Sequence, residues 1–177
     1  MCWAVALVAQ AVSLSGQSPP PVLNEYRVKA AYVYRFSQFV TWPPAALAGA
    51  ATIDICVLRP SPFGGELAQL VRGESVEGRA VRVREVAGAD AVAGCHAIFV
   101  GADAPGARNV VRAATGHHIL TVGESESFLN DGGIIALRVI DRRVRFEVDA
   151  ANARRAGLRI AAQLLNLAVR VRDGGSS

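Results

Sequence analysis

At 177 residues with a formal charge of +4, the chain is the size of one ordinary domain, able to bury about two thirds of its unfolded surface without a metal or many disulfides. The positive charge is almost all arginine, Lys29 being the single lysine, and the arginines are scattered among acidic residues. That scatter speaks against a nucleic-acid footprint, which gathers basic residues into one stripe.

The first sixteen residues, MCWAVALVAQAVSLSG, are uncharged and apolar and close on small residues. They read as a secretory signal peptide over residues 1–16, although without the usual positive start, and they are too short to span a bilayer. Export leaves two cysteines, Cys56 and Cys95. An even count in an exported chain suggests a pair, the alternative being two buried thiols acting as small hydrophobes. No repeat or linker divides residues 24–172, which read as one domain, and residues 173–177 read as a flexible tail.

A helix is predicted over residues 25–42, ended by Pro43-Pro44, since proline lacks the N–H donor and restricts its predecessor. Six of the chain's eleven aromatics, from Tyr26 to Trp42, fall here. On a helical wheel Tyr32, Val33, Phe36, Phe39 and Val40 form the core stripe. Tyr34 falls on the opposite side with Arg35 and Gln38, and Trp42 follows it two turns later. Exposed aromatics bury large area at low entropic cost, which makes Tyr34 and Trp42 candidate partner contacts, unless Trp42 folds back onto the core.

TIDICVL reads as a short strand, FGGELAQLV as a helix and the alternating RAVRVREV as a half-buried strand. HAIFVGA has the short apolar character of an interior parallel strand, PGARNVVRAA opens with proline as helices do, and HHILTV gives another strand. IIALRVI and VRFEVD then read as an antiparallel hairpin. With Arg142 and Arg143 at the turn, Ile135, Leu137 and Val139 share a face with Val144, Phe146 and Val148, and Arg138 falls opposite Glu147. Arg-Arg suits a type I′ turn poorly, which favours a longer one. Asp149 is a sensible N-cap for the last element, read as one long closing helix to Val171 whose broad apolar face calls for a neighbouring helix or second subunit. The fold class is therefore α/β: a single domain with a mostly parallel central sheet flanked by helices, a C-terminal antiparallel hairpin and a long closing helix.

No catalytic constellation assembles. His117 and His118, adjacent on a strand, point to opposite faces and make a poor metal site. VGADAPG resembles a phosphate turn but matches no nucleotide-binding spacing. Glu124 and Glu126 read as solvated loop charges. The expectation is a protein without catalytic residues, metal or cofactor.

KAAYVYRFSQFVTWP resembles the opening signature of the YfiR-like periplasmic proteins, a Lys-Ala-Ala helix ending in Phe-Val-x-Trp-Pro. ICVLRPSPFGGEL, GCHAIFVG, ILTVGESESFLNDGGIIAL and VRFEVDAANARRAGLRIAAQLLNLA are similar to later blocks of that family, in order over residues 29–168. The resemblance implies a homodimeric, non-enzymatic periplasmic repressor. It would bind the periplasmic sensor region of an inner-membrane diguanylate cyclase, lowering cyclic-di-GMP and biofilm formation. It also implies a disulfide between the positions of Cys56 and Cys95, and the two are near neighbours if the first three parallel strands run 2-1-3. A second cysteine pair found in some members has no counterpart around Asn130 and Leu137. The partner surface is expected at Tyr34 and Trp42 and on the outward hairpin face at Arg138, Arg145 and Glu147. The alternative is a periplasmic sensor or carrier holding a small ligand at the strand ends and Gly-Gly loop, acting on another membrane receptor.

Overall fold

The computed structural model describes residues 21–174; the expected signal segment at 1–16 and residues 175–177 lie outside them. Helix α1 (Pro21–Gln38) leads through strand β1 (Val40–Thr41) into a single turn, α2 (Pro44–Leu47). Then come β2 (Thr52–Leu58), α3 (Glu66–Leu70), β3 (Ser75–Val76), β4 (Arg79–Val86), β5 (Ala97–Val100), α4 (Ala107–Ala114) and β6 (Leu120–Gly123). The chain ends with β7 (Ile135–Ile140), β8 (Arg143–Asp149), α5 (Ala150–Arg155), β9 (Arg159–Ile160), α6 (Ala162–Leu167) and β10 (Arg170–Arg172).

Eight strands form one sheet in the order β10-β8-β7-β6-β5-β2-β4-β3. β4, β2, β5, β6 and β7 run parallel, with β3 and β8 antiparallel to their neighbours and β10 parallel to β8. The first three parallel strands thus take the expected 2-1-3 order, with β2 between β4 and β5. Strand periodicity divides the core into two layers. On one face Ile53, Ile55, Val57, Ala97 and Phe99 meet α1 through Val33 and Phe36. On the other, Cys56, Leu58, Ile98 and Val100 pack with Val110 and Val111 of α4. Both faces are covered, which is why β2 and β5 read as apolar runs rather than alternating ones.

The hairpin has the expected facial parity but a different turn. Ile140 pairs with Arg143, so Asp141 and Arg142 form a two-residue turn, both at positive φ (49° and 58°). That is the I′ geometry, whose twist matches the strands, and aspartate tolerates its first position. Arg138 therefore lies opposite Arg145 rather than Glu147.

The long closing helix is not present. Asp149 caps α5 as expected, accepting from the Asn152 N–H at 2.7 Å, but α5 stops after two turns. Gly157 takes φ +72°, its N–H donates to the Arg154 carbonyl and that of Leu158 to Ala153, a Schellman ending. A Cβ on Gly157 would stand 2.7 Å from Nδ1 of His118, so any other residue would have to displace that ring as well as adopt a strained left-handed backbone. The chain then pairs β9 antiparallel with β1, Val40 against Ile160, before the short α6 and the edge strand β10. The face that called for a second subunit is thereby divided among four short elements, α5, β9, α6 and β10.

Candidate functional site

Cys56, fully buried in β2, is bonded to Cys95, just before β5, with their Cα atoms 5.8 Å apart. The bridge spans 39 residues, a loop whose closure stabilises by about 3 to 4 kcal/mol on the entropic account. Beside it lies an ion cluster. Asp54, buried, accepts from Arg82 at 2.6 and 3.1 Å and from the Thr52 hydroxyl at 2.7 Å, with Arg84 Nε 2.8 Å away. Burial pushes the Asp54 carboxyl up, but the hydrogen bonds from Arg82 and Thr52 and the charges of both arginines outweigh it and hold the group below its ordinary value. Arg84 also reaches the Cys95 sulfur at 3.6 Å and the Ala93 carbonyl at 3.2 Å.

His96 completes this region. Its Nδ1 accepts from the Asp54 N–H at 3.0 Å, so the neutral ring is the form the backbone uses, and burial lowers its pKa against the pull of the Asp54 charge. The His96 carbonyl accepts from Trp42 Nε1 at 3.2 Å. Trp42 is thus in the core. The helix ends at Gln38, β1 pairs with β9, and the indole turns inward rather than continuing along a helix face. Tyr34 is buried as well. α1 packs against α3 as well as the sheet, and the phenol donates to Glu74 at 2.7 Å. Burial and that carboxylate push its pKa to about 12. Neither aromatic is an exposed contact, because the wheel showed one face of α1 while neighbours cover two.

The carboxyl ends of β2, β5 and β6 form the crevice where doubly wound sheets take ligands. Here α1 fills it. Lys29 binds Glu124, both side chains 6% exposed, and Glu25 at 2.6 Å. The ammonium lies 4.5 Å from the Tyr26 ring centre, and Tyr26 donates to Glu124 at 3.1 Å. Burial lowers the Lys29 pKa, but the hydrogen bonds to Glu124 and Glu25 win and raise it. Glu124 is therefore no solvated loop charge: it also accepts the Ala102 N–H at 3.2 Å and ties α1 to two strand ends. Lys29 is the chain's lone lysine and Glu124 directly follows a parallel strand, but neither feature by itself joins the two. The cavity left beside them, lined by Tyr26, Pro62, Asp103 and Glu124, measures about 170 Å³.

His117 and His118 fall in the loop before β6 rather than on it; His118 takes φ 57° and its Nδ1 lies 2.8 Å from the Ala156 carbonyl. Among the described residues no group of three or more metal-ligating side chains comes together. At the Gly-Gly loop Phe128 fills the space between Gly123 of β6 and Gly133, where an added Cβ would stand 2.3 and 2.2 Å from its ring, and the pocket left at Gly132 is only about 40 Å³.

On the hairpin, Arg138 and Glu147 meet diagonally at 3.5 Å, and both are mostly covered. Arg138 also donates to the carbonyls of Ser125 and Leu137, which makes it a clamp on the loop after β6. Glu147 further meets Arg170 at 3.6 Å. Arg145 alone of the five expected contact residues is exposed. The structure brings Arg138 and Glu147 together, keeps Tyr34 and Trp42 in the core, and leaves Arg145 on the surface.

What the fold and these clusters define is a disulfide-bridged, doubly wound α/β domain whose interior charges neutralise one another. The sequence pattern of the YfiR/HmsC-like family matches residues 26–169, and the chain belongs to that family. A conserved domain protein from Vibrio cholerae O1 biovar El Tor superposes with a TM-score of 0.54 at 12% identity, over 81% of this chain and 60% of that one. The likeness establishes the fold alone. An ABC domain in complex with L-Trp from Streptococcus pneumonia gives a TM-score of 0.48 at 14% identity, over 85% of this chain and 60% of that one, and carries no argument. The chain spans 60% of the length of each of these two structures.

Proposed function

We propose that this protein is a periplasmic repressor that binds the periplasmic sensor region of an inner-membrane diguanylate cyclase and holds its output low, reducing cyclic-di-GMP and biofilm formation. The family match over residues 26–169 carries this reading. Repression requires tighter binding to the inactive conformer than to the active one, and a hundredfold suppression needs about 2.7 kcal/mol of such preference. One disulfide and neutralised interior charges suit a rigid ligand of this kind, which loses little order on binding. No helix of the described residues is long and apolar enough to cross a membrane. A homodimer belongs to the same proposal, supported by the exposed side chains Leu167, Val169 and Val171 beside the sheet edge at β10.

The sensor or carrier alternative has less support, because the crevice at the strand ends is occupied by Tyr26 and Lys29. The remaining volume of about 170 Å³ is well below the roughly 300 to 1,000 Å³ of ordinary ligand pockets. The test is affinity capture of the mature protein from its own membranes, together with cyclic-di-GMP measured in a deletion strain. Recovery of a cyclase with a periplasmic domain, and a rise in cyclic-di-GMP on deletion, are the expected results; unchanged cyclic-di-GMP and attachment would overturn the reading.

A further inference from the structure

The hairpin turn stands beside the exposed side of α1, and between them runs a groove of about 600 Å³. Its floor is apolar: Val28 and Tyr32 from α1, Val139 and Val144 from the hairpin. Val28 and Val139, 39% and 51% exposed, line the same groove, so the exposed apolar area forms a patch rather than isolated side chains. Its rim carries Arg142, Arg143 and Arg145. None of the three has a carboxylate within salt-bridge distance among the described residues. The single carboxylate lining the groove, Glu25, is engaged by Lys29 at 2.6 Å. Seven other arginines, Arg35, Arg72 and Arg112 among them, also lack a carboxylate partner among the described residues, but only here do three such groups fall within four residues, and here they border an apolar floor. Arginine beside exposed apolar area is the composition of a binding hot spot.

We infer that this groove is the docking surface for a protein partner, and that the element it takes is an acidic segment carrying bulky apolar side chains. The carboxylates would meet the arginine rim and the apolar side chains would cover Val28 and Val139. The charge complementarity selects this occupant over a second copy of the chain, whose own rim would repel it. The inference rests on the repressor reading only for who the partner is, not for where it binds.

Two arms separate those questions. The first measures, by anisotropy, binding of a short fluorescein-labelled peptide of alternating glutamate and leucine to the mature protein. The variants are Arg142→Asp/Arg143→Glu/Arg145→Glu, the milder Arg143→Gln/Arg145→Gln, and Val139→Asp, with Arg72→Glu, in the turn after α3 and outside the groove's lining, as control. The expected result is salt-sensitive binding that weakens about tenfold or more in the charge-reversed and Val139 variants. Arg72→Glu should bind as the wild type, and the lysine-for-glutamate peptide should not bind. Circular dichroism and melting identify any variant that has lost its fold, and the neutral pair, which removes charge without reversing it, then decides. Equal binding by all variants, equal affinity for phosphatidylglycerol vesicles, or a change of oligomeric mass in the variants overturns the assignment. The second arm repeats membrane capture with the same variants. Cyclase recovered equally by all of them overturns the groove and leaves the repressor reading intact. Peptide binding with no cyclase recovered overturns the repressor reading and leaves the groove.

Discussion

The two ends of the sheet handle charge in opposite ways. Around β2, β4 and β5 every ionised side chain that is buried has a partner: Asp54 has two arginines, and the backbone there is cross-linked through Cys56 and Cys95. At the tip of β7 and β8 the arginines have none, and Val139 and Ile140 lie open. Burying a charge without a partner costs several kcal/mol, whereas leaving one in water costs nothing. The first end is therefore built for persistence and the second is free to be used.

Substitutions at the two ends should accordingly differ in kind, and the largest effect belongs to the buried pair at the strand ends. Lys29→Met strands Glu124 in the core and is expected to cost about 3 to 5 kcal/mol in denaturant unfolding, with the Lys29→Met/Glu124→Leu double variant recovering much of the loss. A double variant no better than the single would mean that the pair is not what holds α1 to the sheet.

Cys56→Ala/Cys95→Ala should cost about 3 to 4 kcal/mol. The same loss should follow from adding a strong reductant to the native protein, read by the shift of the urea midpoint.

Acidification tests His96. Its folded pKa is depressed below the unfolded value of about 6.5, so between those two values the unfolded chain holds more protons. Stability should fall as pH drops through and below about 6.5, and His96→Gln should flatten that slope. Asp54 acts lower: its depressed pKa gives stability that is full above about pH 4 and lost as pH falls through the folded value. A pH-independent unfolding midpoint between about pH 7 and 5 would sink the His96 account.

The smallest effects separate core from surface. Tyr34→Phe removes one hydrogen bond to Glu74 and should cost about 1 to 2 kcal/mol while leaving partner capture unchanged. Arg143→Gln/Arg145→Gln should shift stability by under about 0.5 kcal/mol, measured by melting. A larger destabilisation would show that the tip is structural after all.

Much of this architecture was legible before any coordinates. Apolar runs such as AIFV could only be covered on both faces, and the alternation of strands with short helices fixed a parallel sheet with β2 inside it. The hairpin parity followed from period two alone. The closing helix failed because its apolar content outweighed Gly157 in the reading, although a glycine between RRA and LRI is the usual mark of a Schellman ending. Tyr34 and Trp42 were misplaced for a different reason. A wheel describes a helix touching one surface, and α1 touches the sheet, α3 and the segment before β4. Glu124 looked like loop chemistry because nothing local reveals that Lys29, 95 residues earlier, lies beside it. Long-range charge pairing has no sequence period to betray it.

The β1 and β9 pair joins Val40 to Ile160, stitching the early part of the chain to its last quarter. Neither of these two-residue strands has another neighbour in its sheet, so this seam stays open until almost all of the polypeptide is in hand. Whatever emerges first, α1 included, must wait unfinished for the final turn of sequence, and shortening the chain by a few dozen residues at the far end would loosen the region around Trp42 at the near one.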